Sequence, residues 1–153
     1  MAEFAMVLPV ILIILLGLVE FANAYDTVHG LAGISREGAN IAARGTALPE
    51  VMDVVLADGA VLGLDRGGGV LVSRIVVRQG VPMVEEQLAS SGYDGTSQLG
   101  IKDGAVETLR TVGFSEGSTH YAVEVYLGYE SVTPLRRLLG SAVPELLYER
   151  AIF

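Results

Sequence analysis

Histidine and cysteine, which often carry out catalysis or bind metals, are scarce in this chain. Its two histidines, His29 and His120, lie 91 positions apart and lack the HExxH spacing of a zinc site. Glu85 and Glu86 are adjacent, and neighbours in a strand point to opposite faces, which suits neither a catalytic pair nor one ligand set. No GxSxG sequence is present to hold a serine nucleophile. We therefore expect no enzyme.

Cofactor chemistry also lacks its usual signatures. Gly67-Gly68-Gly69 stands outside any GxxxxGK[ST] frame, and no GxGxxG follows a strand, so we expect a flexible turn there. The glycine turns that contain aspartate lack the EF-hand frame, although calcium at one of these loops stays an alternative. The absence of cysteine excludes disulfides and thiolate metal sites. We expect neither a cofactor nor a bound metal.

The charge balance argues against nucleic acid as a partner. The chain has a net charge of −8, and its basic residues are nine arginines and a single lysine, Lys102. Neutralisation of phosphates dominates the affinity of proteins for nucleic acids, and no basic run is present to provide it.

Two carboxylates, Glu3 and Glu20, bracket the most apolar part of the chain. Between them, Phe4 to Val19 forms sixteen residues without a polar side chain. A helix needs about 20 apolar residues to cross a bilayer, and the run approaches that length if Glu20 snorkels or pairs. Pro9 lies inside the run and should kink or locally unwind the helix.

Three interpretations of this segment compete. A cleaved secretory signal is suggested by Ala22-Asn23-Ala24, but the first basic residue is Arg36, so the positive n-region of a signal is missing. A single membrane-spanning anchor is the second interpretation. The third, which we favour, is a helix that leaves the membrane to become the core of a filament.

The favoured interpretation depends on the residues that follow the span. Residues 25–44 contain no proline and place apolar residues at helical spacing. Gly38 with Ala42, and Ala39 with Ala43, form pairs of small residues that let helices approach closely. Each glycine costs a helix about 1 kcal/mol against alanine, and close packing would offset that cost. We predict a helix over residues 2–45, about 65 Å long, that ends near Gly45 and Pro49.

The remaining residues predict a small α/β head beside this helix. We expect a short helix at 49–57, a loop at 65–69, strands at 70–79, 81–88 and 120–129, a loop or one helical turn at 132–140, and either a strand or a helix at 146–152. Residues 105–112 suit helix and strand equally. The fold class is α+β, with a helix at 1–46 that carries an antiparallel sheet domain at 47–153.

The N-terminal pattern resembles the TadE-like family, pilins and pseudopilins of the tight-adherence (Tad) branch of type IV filaments. The resemblance is carried by Glu3-Phe4-Ala5 with Pro9, Gly17-Leu18-Val19-Glu20-Phe21, Ser35-Arg36-Glu37-Gly38-Ala39, and a closing Thr133-Pro134-Leu135 with Leu138-Leu139-Gly140. It covers roughly residues 2–45 and 120–150. The family acid usually stands fifth in the mature chain, whereas Glu3 stands third here.

The resemblance implies a structural filament subunit for adhesion or surface attachment, located at the cell surface after an inner-membrane stage. Its implied partners are further copies of itself or other pilins, a prepilin peptidase and the pilus assembly machinery, and its implied role for Glu3 is to meet the amine of a neighbouring subunit. The alternative is a single-span periplasmic binding or scaffold module. The predicted subunit-assembly residues are Glu3, Phe4, Pro9, Gly17, Glu20, Gly38 and Ala42.

The filament and anchored-module interpretations predict different results when the helix is altered or removed. In the filament interpretation, leucine at Gly38 or alanine at Glu3 should block assembly without unfolding the head. In the anchored-module interpretation, the head should fold by itself once residues 1–45 are removed.

Overall fold

A computed structural model describes residues 2–134, 136 and 144–153, with side chains from residue 7 onward. Most of the stretch 132–140, for which a loop or helical turn was predicted, lies outside these residues, as do Leu135, Leu138, Leu139 and Gly140. The chain begins with helix α1, Ala2–Ala43, whose 42 residues extend about 63 Å. The predicted long N-terminal helix is thus confirmed. The helix assignment continues unbroken through Pro9, so the predicted local unwinding is not observed.

Four antiparallel strands form the sheet of the head. They are β1 (Gly68–Arg78), β2 (Val81–Ala89), β3 (Thr119–Gly128) and β4 (Leu146–Ile152), in the order β2-β1-β3-β4. β1 and β2 are joined by a two-residue turn, and β3 pairs with both β1 and β4. The predicted α+β class and the three predicted strands are confirmed, and the ambiguous segment at 146–152 is a strand.

The connection from α1 to the sheet is more helical than predicted. Helix α2 (Leu48–Gly59) has Pro49 in its first turn, and it is followed by a 3₁₀ turn at Ala60–Leu62. The loop predicted at 65–69 was wrong, because a single turn, α3 (Leu64–Gly67), runs directly into β1. Gly63 makes this restart possible, since its φ of 85° lies in the left-handed region that glycine adopts without strain.

One face of the sheet packs against α2 and the second half of α1. This core contains Leu31, Ala39 and Ala42 of α1, Val51 and Val55 of α2, Val70 and Val72 of β1, and Val123, Val125 and Leu127 of β3. The alternation of Tyr121, Val123, Val125 and Leu127 in the sequence predicts that they share one face of β3, and this prediction is confirmed. Because α1 supplies part of this core, removal of residues 1–45 would expose it to water. We therefore now predict that the head does not fold by itself once these residues are removed.

The opposite face of the sheet is covered by the long segment 90–118. Its core consists of Ile75, Val84, Leu99, Val106, Leu109 and Ala122, with Phe114 packed beside them. Residues 105–112, whose sequence suited helix and strand equally, contain a 3₁₀ turn at Glu107–Leu109. The central strands are consequently buried on both faces, which the alternation of β3 alone did not predict.

A bulge in β2 corrects the expectation that Glu85 and Glu86 point to opposite faces. Arg74 is paired with Glu86 across the sheet, whereas the next residue, Ile75, is paired with Val84, so Glu85 is an extra residue in β2. As a result both carboxylates reach one guanidinium, with Arg74 Nε 3.2 Å from Glu85 Oε2 and Arg74 Nη2 3.0 Å from Glu86 Oε2. This grouping is an ion-pair network on the sheet.

The β1–β2 turn is held by a carboxylate from the covering segment. Gln79 and Gly80 have φ values of 54° and 71°, the left-handed pair typical of a two-residue hairpin. Their backbone N–H groups each donate to Glu116 at 2.8 Å. These two bonds favour the ionised carboxylate and hold the pKa of Glu116 below its usual value.

Gly38 provides a test of how closely α1 packs on the head. A Cβ added at Gly38 would lie 2.4 Å from Cγ2 of Val55 and 3.4 Å from Cγ2 of Val123. Because valine side chains are stiff, Gly38→Ala should lower the free energy of unfolding by about 1–3 kcal/mol. Urea unfolding of the full chain in detergent, followed by tyrosine fluorescence, would measure this loss.

Gly33 is the matched control on the same helix. A Cβ at Gly33 meets nothing within 4 Å, so Gly33→Ala should leave the head unchanged or stabilise it by up to about 1 kcal/mol through helix propensity. The same geometry revises the expectation for leucine at Gly38, which should now unfold the head. Equal urea midpoints for the two alanine variants would contradict the packing described here.

Candidate functional site at the head–helix junction

The first half of α1 presents a bare apolar surface. Nearly every large side chain from Val7 to Val19 is exposed to solvent in the isolated chain. Among the described residues, Val7–Ala43 is the one helical segment whose length and composition would let it cross a membrane. Soluble monomers rarely expose so large an apolar surface, so this half of the helix requires a cover.

Glu20 ends the apolar run and is turned into the head. Its side chain is only 6% exposed. The backbone N–H of Thr133 donates to Oε2 at 2.9 Å, and the Thr133 hydroxyl donates to the same oxygen at 2.6 Å. The hydroxyl of Tyr129 donates to Oε1 at 2.8 Å. Both carboxylate oxygens therefore receive hydrogen bonds from the end of β3 and the segment after it.

A fourth side chain completes this group. Asn23, one helical turn after Glu20, donates from Nδ2 to the Tyr129 hydroxyl at 3.0 Å. Burial is the main cause that raises the pKa of Tyr129, so this hydroxyl keeps its proton and serves as a donor. We refer to Glu20, Asn23, Tyr129 and Thr133 as the Glu20 junction.

The chemistry of the Glu20 junction is structural. A carboxylate that is removed from water is costly unless hydrogen bonds replace its hydration, and neutral donors of the head supply them here. The sequence left two possibilities for Glu20, snorkelling to water or pairing with another group. The structure shows pairing, and the partners are neutral hydrogen-bond donors. The junction ties residues more than 100 positions apart in sequence at the point where the apolar run ends.

The other predicted assembly residues are spread along α1. Glu3 and Phe4 lie in its first turns, where the structure describes the backbone only, and Pro9 lies in the bare half. Gly17 also lies there, with open space where a Cβ would stand. Contacts of these residues with a neighbouring subunit stay predictions.

Gly38 and Ala42 are placed differently. Both are buried beneath the head of their own chain, so the close approach that their spacing predicts is made to the head. Any role in subunit contact at these two positions also stays a prediction.

The structure contains a second buried carboxylate that the sequence analysis missed. Glu124, in the middle of β3, is fully buried on the face covered by segment 90–118. Its Oε1 accepts from the N–H of Gln98 at 2.9 Å and from the hydroxyls of Tyr126 and Tyr148 at 3.0 and 2.9 Å. The Ser97 hydroxyl donates to Oε2. An acidic residue at the centre of an otherwise apolar strand was the one available signal.

Three tyrosines surround Glu124. Burial, with the neighbouring charge of Glu124, raises the pKa of Tyr126 and of Tyr148, so both hydroxyls stay protonated. Tyr93 stacks on Tyr126 with ring centroids 5.1 Å apart. A Cβ at Gly69 would lie 2.0 Å from the Tyr93 ring, so this glycine makes the stack possible. The cluster fastens segment 90–118 to the sheet.

The fold and the junction agree with the architecture that the sequence resemblance implies. A long helix with an apolar first half, whose second half is built into a small antiparallel head, is the architecture expected for a pilin-like protein. The family model described as TadE-like protein matches residues 1–40, so the resemblance is confirmed over this part of the chain. No curated protein and no solved structure matches the chain.

The Glu20 junction gives a direct test of its hydrogen bonds. Glu20→Gln replaces an oxygen that accepts hydrogen bonds with an amide that donates them, so at least one buried donor loses its acceptor. We expect the free energy of unfolding to fall by about 1–3 kcal/mol. Exchange of the Thr133 amide hydrogen, measured by NMR on the full chain in detergent, should become faster.

Glu37 is the control for this change. It lies on α1 but is exposed, so Glu37→Gln should alter neither the stability of the head nor the Thr133 exchange rate. An unchanged free energy of unfolding in Glu20→Gln would show that the carboxylate does not hold this segment.

Proposed function

We propose that the chain is a structural subunit of a Tad-type pilus filament, in which the apolar half of α1 first spans the inner membrane and later packs against α1 of neighbouring subunits. The observation that carries this proposal is the bare apolar surface of α1, joined to the head through the Glu20 junction. Adhesion or surface attachment by the assembled filament is the biological role that fits such a subunit.

The lengths of the two halves of α1 support this proposal. The whole helix extends about 63 Å, roughly twice the 30 Å hydrocarbon thickness of a bilayer. The second half contributes Leu31, Ala39 and Ala42 to the core of the head, which leaves the first half for a separate cover. Lipid tails and the apolar faces of other helices are equivalent covers, because both remove the side chains from water.

Glu3 supplies the proposed contact between subunits. It precedes the apolar run, so in a bundle of α1 helices its carboxylate would be surrounded by apolar side chains and would need a partner. The amine of a neighbouring subunit is the partner that the family resemblance suggests. A prepilin peptidase and the pilus assembly machinery would act on the membrane-bound form, and other pilins are further candidates for neighbours.

A catalytic role is not part of this proposal. The two buried carboxylates, Glu20 and Glu124, are both occupied by hydrogen bonds that fasten one part of the fold to another. Such saturated groups are poorly placed to exchange protons with a substrate, because they would first have to break those bonds.

A single-span scaffold module is the second candidate. The family match ends at residue 40, within α1, and does not include the head. The matched part, an apolar helix, would serve a membrane anchor as well as a filament core. A secreted protein cleaved after Ala24 fits less well. Cleavage there would remove Glu20 and Asn23 from the junction and leave Tyr129 without both partners.

Electron cryomicroscopy of material sheared from cells that make this chain would test the proposal. We expect helical filaments with the first halves of α1 at the centre. In Glu3→Gln, sheared filaments should fall by at least about tenfold, because an unpaired buried charge costs several kcal/mol.

Two comparisons make this result specific. The amount of chain in the membrane should be unchanged in Glu3→Gln, and Glu37→Gln, an exposed change on the same helix, should assemble normally. Abundant chain in the membrane without filaments in the wild type would contradict the filament proposal and support the scaffold module.

A further inference from the structure

The level of the membrane surface along α1 can be placed from the side chains that follow the apolar run. Phe21 and Tyr25 are 69% and 54% exposed, and their ring centroids lie 6.2 Å apart on one side of the helix. Exposed aromatic side chains at the end of a span are typical of the interface between hydrocarbon and headgroups. If the first half of α1 spans a bilayer, the interface therefore lies near residues 20–25.

The Glu20 junction brings one end of the head to this same level. Thr133 bonds directly to Glu20, so the segment Glu130–Pro134 lies beside the last turn of the apolar run. Val132, next to Thr133, is 58% exposed. A branched apolar side chain is thus left uncovered at the depth where the bilayer begins.

A second uncovered valine lies nearby on the same end of the head. Val61, in the 3₁₀ turn after α2, is 88% exposed. It lines one cavity together with Asn23, Thr27 and Tyr129, which places it one to two turns above Glu20 along α1. Its neighbour Leu62 contacts the helix at Gly30 and is partly buried, so the turn is fastened to α1 while Val61 points away.

Two arginines at this end of the head are paired with acids, and Glu130 is a further, exposed acid there. Arg66 Nε lies 3.8 Å from Asp65 Oδ2, and Arg136 Nη2 lies 3.2 Å from Glu145 Oε1. The pairing reduces repulsion between these acids and lipid phosphates although the chain as a whole carries a net charge of −8. Arginines that keep exposed surface can also donate to phosphate oxygens.

We propose that this end of the head, which we call the membrane-facing end and define by Val61, Val132, Arg66 and Arg136, rests on phospholipid while α1 spans the membrane. The proposal depends on the membrane stage of the proposed function. The surface is continuous with the span, because Thr133 bonds to Glu20 and so holds its neighbour Val132 beside the end of the apolar run. Val61 and Val132 enter the interface, and the arginines meet headgroups.

The absence of cysteine from the chain makes this contact measurable. Single cysteines at positions 61 and 132 would carry an environment-sensitive fluorophore in the full chain, reconstituted in nanodiscs of phosphatidylethanolamine and phosphatidylglycerol. Doxyl-labelled phospholipids then quench the label by contact. Both positions are exposed, so the substitutions should leave the fold intact.

Two further labelled positions calibrate the quenching. Leu12 lies in the middle of the apolar run and reports whether α1 is in the bilayer. Ile101 is exposed and accepts a backbone hydrogen bond from Gly104, which is itself bonded to Val84 in the half of the sheet away from Glu20. We expect strong quenching at 12, weak quenching at 101, and quenching at 61 and 132 at least about twofold above that at 101, since interfacial side chains sit within the headgroup region.

The outcomes separate this inference from the proposed function. Quenching at 12 with values at 61 and 132 equal to that at 101 would overturn the membrane-facing end and leave the spanning helix intact. No quenching at 12 would show that α1 is outside the bilayer, which would remove both proposals. Labels at 61 and 132 that are shielded from water but not quenched by lipid would indicate a protein cover and would also overturn the inference.

Discussion

The hydrogen bonds between Glu20 and the end of β3 are the constraint on which the rest of the structure depends. A carboxylate at the end of an apolar run must either reach water or find donors, because its desolvation is otherwise too costly. Here Tyr129 and Thr133 provide the donors. The head is consequently held against α1 at one level, and the apolar half of the helix projects from it in one direction.

Close packing adds to this constraint along the second half of α1. Gly38 and Ala42 let α2 and β3 approach the helix, so branched side chains such as Val55 and Val123 fill the space that a larger residue would occupy. The sheet is then covered on its other face by segment 90–118, which Glu124 and its tyrosines fasten in place. A chain without cysteine thus obtains its order from packing and buried hydrogen bonds, without disulfides.

Local patterns in the sequence were sufficient for the elements but not for their partners. The strands β1 and β3 followed from β-branched residues and alternation, and α1 followed from an apolar run without interior breaks other than Pro9. The small residues at Gly38 and Ala42 indicated a close approach correctly. Their spacing alone could not distinguish the chain's own head from another helix, since both would need the same small side chains.

The contacts of the acidic side chains were even harder to predict from local sequence patterns. Glu20 and Thr133 are separated by 113 positions, so their contact is a property of the whole fold and not of any segment. The grouping of Glu85 with Glu86 required a β-bulge, which a single sequence does not reveal without the register of the neighbouring strand. Glu124 alternates with Val123 and Val125 along β3, and its burial depends on segment 90–118, which covers the other face of the sheet and lies far from it in sequence.

A double-mutant cycle between Glu20 and Tyr129 tests the central claim most directly. Unfolding free energies would be measured for the full chain, Glu20→Gln, Tyr129→Phe and the double variant in the same detergent. If the two side chains share a buried hydrogen bond, the losses should fail to add, with a coupling energy of about 0.5–3 kcal/mol. Additive losses, with a coupling energy near zero, would show that Glu20 does not hold the head to the helix.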